Sequence, residues 1–266
     1  MNVRIAKRSE LADVQGRADD RNLALNRVGV SDLRYPIRVL DRANREQMTV
    51  GTFSLTVGLP QEYRGAHLSR FVETLVAHHT SIGVSEMADM LAAVRESHQS
   101  ADAHVDVTFP YFIKRAAPVS GATAMMEYPC GFPVTLGSVL DFALIAGAAV
   151  TTVCPCSKEI SDRGAHNQRA QVTVRCRFRE FVWLEEIIEM IEASASAPVY
   201  PLLKREDEKH VTEQAYDNPR FVEDVVREVA LRLNADSRIT AWKVEATSFE
   251  SIHNHNALAV VERDWV

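Results

Sequence analysis

Apolar and polar residues alternate in two runs near the start of the chain, which predicts two β-strands. The runs are YPIRVLD, from Tyr35, and MTVGTFSLTVGLP, from Met48, with the polar segment RANREQ between them, so they predict a hairpin. Helical periodicity follows in SRFVETLVAHH and VSEMADMLAAVRESHQ. Two more strand-like runs, AHVDVTFPYFIKRAA and GATAMMEYPCGFPVTLG, flank a turn from Pro118 to Gly121.

The same order of elements occurs again in the second half. VLDFALIAGAAVTTV and NQRAQVTVRCRF predict strands, VWLEEIIEMIEASA and RFVEDVVREVALRLNA predict helices, and RITAWKVEATSFES and NALAVVER predict strands. The sequence therefore predicts an α+β protein of two tandem ββααββ modules, each an antiparallel sheet with its helices on one face. The predicted divisions are an N-terminal arm at 1–34, a first module at 35–134 and a second module at 135–266.

Composition narrows the class of protein. The chain has 266 residues, 46% hydrophobic and 25% charged, which is typical of a globular protein with a buried core. A formal charge of −6 indicates no general affinity for nucleic acid or for an anionic membrane surface. The N-terminus lacks the apolar core of a signal peptide, and no apolar run is long enough to span a membrane, so a cytoplasmic protein is expected.

The residues with the most distinctive chemistry lie in three connections of the second half. Cys154, Cys156 and His166 lie in CPCSKEISDRGAHNQR, Glu206 and Glu208 in LLKREDEKH, and His253 and His255 in ESIHNHNA. Thiolate, imidazole and carboxylate groups brought together from three loops suit a divalent transition metal. The single residue between the two cysteines is unlike a zinc knuckle, which uses two, so one cysteine is expected to bind metal and the other to act differently.

Other polar residues fit structural roles. Cys130 and Cys176 fall within strand-like runs and are interpreted as core residues. Histidines on or near the first two helices are interpreted as surface or satisfied interior groups: His67, His78, His79, His98 and His104. The acidic residues of the third helix are interpreted as its solvated face: Glu185, Glu186, Glu189 and Glu192.

These motifs resemble those of the GTP cyclohydrolase type IB family. CPCSKEISDRGAHNQR is similar to its signature, and GVSDLRYPI, SRFVE, LKREDEKHVTEQAYDNPRFVED and ESIHNHNA resemble its other blocks, so the similarity spans nearly the whole chain. GAHLSRF departs from the expected GTHMSRF by two residues outside the chemical motifs. The resemblance implies a tunnelling fold (T-fold) of two ββααββ modules, assembled as a homotetramer with active sites at subunit interfaces.

The resemblance also implies roles for individual residues. It implies a metal site of Cys154, His166, Glu208 and His253, holding one divalent ion such as zinc, iron or manganese. It implies that Glu223, in NPRFVED, binds the guanine of GTP, because a carboxylate can accept hydrogen bonds from adjacent N–H groups of the base.

The expected reaction opens the imidazole ring of GTP at C8 and releases formate, giving 7,8-dihydroneopterin triphosphate for tetrahydrofolate synthesis. Cys156 and His255 are the candidate proton donors to the ring nitrogens. The triphosphate requires local positive charge despite the acidic balance of the chain, and the candidate residues are Lys158, Arg163, Arg169, Lys204 and Arg205.

Three alternatives remain open from the sequence. A related purine enzyme of the nitrile reductase type uses a cysteine nucleophile and consumes NADPH. A non-catalytic protein could use the metal only to fasten loops, and a chelator would then unfold it. A thiol-redox role for Cys154 and Cys156 is disfavoured, because one intervening proline leaves little room for a reversible disulfide.

Overall fold

The computed structural model describes residues 12–265. The strands are β1 (Leu25–Asp41), β2 (Arg45–Leu59), β3 (Ala103–Ala116), β4 (Thr123–Leu136), β5 (Leu140–Phe142), β6 (Leu144–Val153), β7 (Asn167–Phe178), β8 (Ala197–Pro198), β9 (Ile239–Ser248) and β10 (Ala257–Arg263). The helices are α1 (Leu68–His78), α2 (Val84–His98), α3 (Pro155–Ile160), α4 (Leu184–Glu192), α5 (Arg205–Asp217) and α6 (Val222–Ala235). Part of the predicted arm, residues 1–11, lies outside the described residues.

The hydrogen-bonded strands form one ten-stranded sheet. Its order is β1-β2-β3-β4-β6-β7-β9-β10, with β5 paired to β4 and β8 paired to β6. The predicted fold class, a tunnelling fold of two tandem ββααββ modules, is therefore wrong. Antiparallel pairing of β4 with β6 continues the sheet past the predicted boundary. The predicted strand VLDFALIAGAAVTTV is divided into β5 and β6, and α3, β8 and α5 are additional to the predicted repeat.

Chain contacts divide the molecule into two compact units. The first contains the described residues before Asp41, together with Val50–Val107 and Val134–Asp141. The second contains Asp41–Thr49, Thr108–Pro133 and the chain from Phe142 onward. The division predicted at residue 135 from the sequence remains a prediction.

The core of the first unit follows from the periodicities seen in the sequence. β2 buries alternate residues such as Phe53 and Leu55, as expected of a strand with one face in the core. The helices α1 and α2 contact each other and bury residues such as Phe71 and Met87. The two predicted helices are thus present in this unit, and the strands of the predicted hairpin, β1 and β2, are neighbours in the sheet.

The second unit is built on the ladder of β6, β7 and β9. The two pairs β6–β7 and β7–β9 are antiparallel, and every second residue of β7 from Ala170 to Cys176 is buried. The helix α4 packs against β6, and α6 packs against β9 and β10. One face of these strands is therefore covered by helices, and the positions between the buried residues are free to carry polar groups.

The acidic residues of α4 do not share one environment. Glu185 and Glu192 are buried: the Tyr111 hydroxyl donates to Glu185 Oε1 at 2.6 Å, and the Tyr128 hydroxyl donates to Glu192 Oε1 at 2.7 Å. Arg115 forms an ion pair with Glu192. The interpretation of α4 acids as a solvated face is wrong for these two residues, because tyrosine and arginine partners compensate their burial, and it is confirmed for the exposed Glu189.

The interpretation of the two strand cysteines as core residues is confirmed. Cys130 and Cys176 are buried at 3% and 0% exposure. Burial raises the pKa of both thiols, to about 12 for Cys176. These thiols are therefore protonated at neutral pH and suited to packing.

Candidate functional site

The connection between β6 and β7 brings Cys154 and His166 together at the end of a strand ladder. Val153 pairs with Asn167 in the last rung, and the Cys154 backbone N–H then donates to the His166 carbonyl at 3.1 Å. Ser157 bridges the two ends of the connection, since its hydroxyl donates to the Cys154 carbonyl at 3.2 Å and accepts from the His166 N–H at 3.1 Å. These hydrogen bonds fix both candidate metal ligands.

Cys154 is the N-cap of the short helix α3. Its backbone is extended, and its Sγ accepts a hydrogen bond of 3.4 Å from the Ser157 N–H. Pro155 begins the helix, where its fixed φ and missing N–H are tolerated. Cys154 is half-buried and Cys156 is exposed in the first turn. Helix α3 therefore begins between the two cysteines, so the Cys-Pro-Cys segment is not extended throughout.

The ring of His166 is oriented by a residue two positions along the chain. Its Nδ1 lies 2.9 Å from Gln168 Oε1. Both residues are half-buried. A ligand histidine typically binds a metal through one ring nitrogen while the other is held by a hydrogen bond, and His166 Nδ1 makes a hydrogen bond of this kind.

The segment between β9 and β10 places two more histidines near His166. The ring centroids of His253 and His166 are 6.4 Å apart, and those of His253 and His255 are stacked at 5.3 Å. His253 and His255 are both exposed. The imidazole rings of His166, His253 and His255 thus lie close together, although they come from two different connections. Cys154 is linked to His166 by a backbone hydrogen bond.

Glu208 lies on α5, a helix that the sequence analysis treated as a connection. Helix α5 starts at Arg205, and the Lys204 N–H donates to Asp207 Oδ2 at 2.8 Å. Asp207 is fully buried, and its carboxylate also accepts from the backbone N–H groups of Val119 and Ser120 and from the Ser120 hydroxyl. Burial opposes ionisation, but these hydrogen bonds outweigh it and hold the pKa of Asp207 well below its usual range.

The predicted metal ligands do not all converge within one chain. Glu208 is exposed, and across residues 12–265 no three His, Cys, Asp or Glu side chains form a group with metal-binding geometry. The structure therefore places the rings of His166 and His253 6.4 Å apart and pairs the Cys154 and His166 backbones, but among the described residues it does not assemble three ligand side chains. Thiolate and imidazole donors nevertheless fit a divalent transition metal by their chemistry.

The remaining predicted residues lie on several elements. Glu223 is exposed in the first turn of α6, and Arg169 is exposed on β7 opposite Thr151. Lys204 and Arg205 are exposed at the start of α5. Lys158 donates to the Tyr216 carbonyl and lies 4.3 Å from the centre of the Tyr216 ring, so it links α3 to α5.

A cavity of about 730 Å³ lies beside the same connection. Its lining includes Arg163 from the connection before β7, Asn167 at the start of β7, and Thr212 and Tyr216 from α5. Its volume is within the ordinary range of small-molecule sites.

Gln168, Ser157 and Ser251 were not predicted from the sequence. Gln168 and His166 are two residues apart at the start of a strand, so their side chains lie on the same face, and that spacing is the signal that could have identified Gln168. Ser157 and Ser251 carried no such signal, because their roles depend on loop conformation.

Comparison with known proteins gives the family of this chain. The model of the family described as type I GTP cyclohydrolase FolE2 matches residues 11–259. The chain belongs to this family. GTP cyclohydrolase FolE2 of Kosmotoga olearia is 54% identical over 253 residues, which cover 95% of this chain and 98% of the relative. The corresponding protein of Fervidobacterium nodosum is 51% identical over 257 residues, covering 96% and 98%.

Solved structures with a similar fold come from enzymes of low sequence identity. The uricase of Arthrobacter globiformis matches with a TM-score of 0.54 and 9% identity, over 90% of this chain and 94% of that one. A urate oxidase mutant of Bacillus sp. TB-90 matches with a TM-score of 0.54 and 7% identity, over 90% and 99%. At such low identity, these matches show only that the fold is similar. Among the described residues, no helix has the length and apolar character needed to cross a membrane.

Proposed function

We propose that this chain is a metal-dependent GTP cyclohydrolase I of the type IB class. It hydrolyses the imidazole ring of GTP at C8 and releases that carbon as formate, giving 7,8-dihydroneopterin triphosphate for tetrahydrofolate synthesis. The observation that carries the proposal is the FolE2 family match over residues 11–259, supported by relatives at about half identity along almost the whole chain.

The proposed metal ligands are Cys154, His166, His253 and Glu208. The neighbourhood of the first three in the structure supports their assignment, and Glu208 is assigned from its sequence motif. Zinc, iron or manganese would suit this mixture of thiolate, imidazole and carboxylate donors. When bound, a divalent metal supplies a nucleophilic water near neutral pH.

Side chains near these ligands have proton-transfer roles in the proposal. Opening the ring requires protons at the nitrogens that separate from C8, and Cys156 and His255 are the proposed donors. Support comes from their positions, because Cys156 lies in the first turn of α3 beside Cys154 and the His255 ring stacks on that of His253.

Glu223 is the proposed anchor for guanine, since its two oxygens can accept from the adjacent N–H groups of the base. The proposed triphosphate contacts are Lys158, Arg169, Lys204 and Arg205, with Arg163 facing the adjacent cavity. A guanidinium or ammonium group favours binding of the phosphate oxygens.

We also propose a homotetramer with active sites at subunit interfaces. Glu208, Glu223, His253 and His255 are exposed on the single chain, which supports a site completed by a second copy.

Incubation of metal-reconstituted protein with GTP tests the function. Formate and, after oxidation, a fluorescent pterin are expected, with no need for NADPH. Absence of both products with zinc, iron and manganese would contradict the proposal, whereas NADPH consumption on a deazapurine nitrile would favour the reductase alternative.

A further inference from the structure

The side chain of Gln168 connects three segments around the candidate metal site. Its Oε1 lies 2.9 Å from His166 Nδ1 and 3.4 Å from the Ser251 hydroxyl, and its Nε2 lies 3.2 Å from Thr152 Oγ1. Thr152 is directly opposite Gln168 in the β6–β7 ladder. One amide therefore contacts β6, a ligand on the connection before β7, and the segment that carries His253.

The hydrogen-bond pattern determines which way the amide faces. The Thr152 hydroxyl has two further partners, the Gln168 backbone carbonyl and the Ser248 hydroxyl, each at 3.4 Å. Its one proton is donated to one of them, so it acts as an acceptor toward the Gln168 side chain. The NH₂ group must then face Thr152, which leaves Oε1 facing His166. Thr152 is 1% exposed, so this orientation is set inside the protein.

An acceptor at 2.9 Å requires that His166 Nδ1 carry the proton. The neutral ring then has its free lone pair on Nε2, which is the form that binds a metal through Nε2. The same Gln168 oxygen accepts from Ser251, two residues before His253. This hydrogen bond from Ser251 thus restrains the segment that carries His253 relative to His166.

We propose that Gln168 is a positioning residue of the metal site, which fixes the tautomer and orientation of His166 and restrains the segment of His253 through Ser251. This inference rests on the proposed metal-dependent function. The preorganisation lowers the cost of gathering ligands, so loss of the amide weakens metal binding without removing any ligand.

The test uses the full chain and Co²⁺ as the probe, with dissociation constants measured from its absorption bands. Q168M, which keeps the length of the side chain but cannot accept from His166, is expected to bind Co²⁺ about 10- to 100-fold more weakly. Q168E keeps an acceptor oxygen and is expected to bind within a few fold of the wild type.

Gln171 provides a matched control on the same strand. Its buried Nε2 has no hydrogen-bond partner, so Q171M breaks no hydrogen bond of that nitrogen and should leave the Co²⁺ dissociation constant unchanged. A second measurement, the ¹⁵N spectrum of histidine in metal-free protein, should show the Nδ1–H form of His166, assigned by its loss in H166A. Q168M should lose the preference for that tautomer.

Equal Co²⁺ affinity of Q168M and wild type, or an unchanged His166 spectrum in Q168M, overturns the inference and leaves the proposed function standing. Failure of the wild type to bind any divalent metal overturns both. If Q168M does not fold, Q168E and the wild-type ¹⁵N spectrum test the inference instead. An Nε2–H form of His166 in the wild type contradicts the proposal.

Discussion

At the scale of single residues, Cys154 and Cys156 differ in setting despite being separated by one proline. Cys154 ends a strand and is held by Ser157 and His166, whereas Cys156 is exposed on the first turn of α3. A fixed, half-buried thiol next to an oriented imidazole suits a ligand. A more accessible thiol suits exchange of a proton with a substrate.

Separate substitutions should distinguish the two roles. C156S is expected to retain metal and GTP binding but to turn over slowly, because a hydroxyl is a far weaker acid than a thiol. C154S is expected to lose the softer metals first, because the thiolate is gone. Mass spectrometry for metal content and formate release on the same samples measure both effects. Metal loss in C156S with retention in C154S would reverse the assignment.

Glu223 gives a second prediction at this scale. E223Q places an amide donor against the donors of guanine, so GTP affinity should fall by about 1–3 kcal/mol, roughly 5- to 150-fold, with metal content unchanged. Binding of GTP to metal-loaded protein by calorimetry measures this change. E213Q is a control, since Glu213 forms only an exposed ion pair with Lys209, and unchanged affinity in E223Q would place the guanine elsewhere.

At the scale of elements, α4 and α6 are tied together at their ends by one arginine. Arg238 contacts Asp236, which follows the last turn of α6, at 2.7 Å and Glu186, in the first turn of α4, at 3.0 Å. Its Nη1 also donates to the Phe181 carbonyl at 3.1 Å. The hydrogen bonds from Arg238 lower the pKa of Asp236, although burial opposes this. The two helices that cover β6 and β9 thereby share an electrostatic contact.

This contact predicts a pH-dependent contribution to stability. Because the pKa of Asp236 is lower in the folded than in the unfolded chain, its contribution is complete above about pH 3.9 and disappears as the pH falls through the folded value. D236N should lower the free energy of unfolding by about 0.5–1 kcal/mol at pH 7, and the difference should shrink below pH 4.

Urea unfolding at several pH values measures that difference. E127Q, at an exposed position of β4, is the control and should show little change at either pH. A D236N deficit that stays constant down to pH 2.5 would mean that the charge on Asp236 is not what stabilises the contact.

At the scale of the whole molecule, the region of the candidate metal ligands is held by hydrogen bonds between protein groups. The Cys154–His166 backbone contact, the two bonds of Ser157 and the Gln168 amide are all formed between protein groups. The buried strands β6, β7 and β9 extend away from this region. We therefore expect the fold of this unit not to depend on metal–ligand bonds.

Removal of metal should consequently abolish activity but not folding. Dialysis against a chelator is expected to stop formate release and shift the thermal midpoint by only a few degrees, and added metal should restore turnover. Circular dichroism and the GTP assay on the same sample provide the measurement. Unfolding on chelation would instead indicate a structural metal.

The sequence by itself determined most of the local elements and the family. Alternation predicted β7 with its bounds, and helical periodicity predicted α1, α2, α4 and α6, because each pattern records which face of an element is buried. The chemical motifs were recognisable from residue type and spacing alone. Helix α5 was missed because its stability derives from the buried Asp207 cap, whose partners Val119 and Ser120 are far away in the chain.

Only the tertiary structure decided how the strands pair and which polar residues meet. The sequence cannot reveal that β4 pairs with β6, because both edges of a strand look alike in a period-two pattern, so one continuous sheet replaced two predicted modules. Burial of Glu185 was decided by Tyr111, 74 residues away. The meeting of His166, Gln168 and Ser251 likewise depends on the register of β6 and β7 and on a distant segment, and long-range contacts of this kind leave no local periodicity.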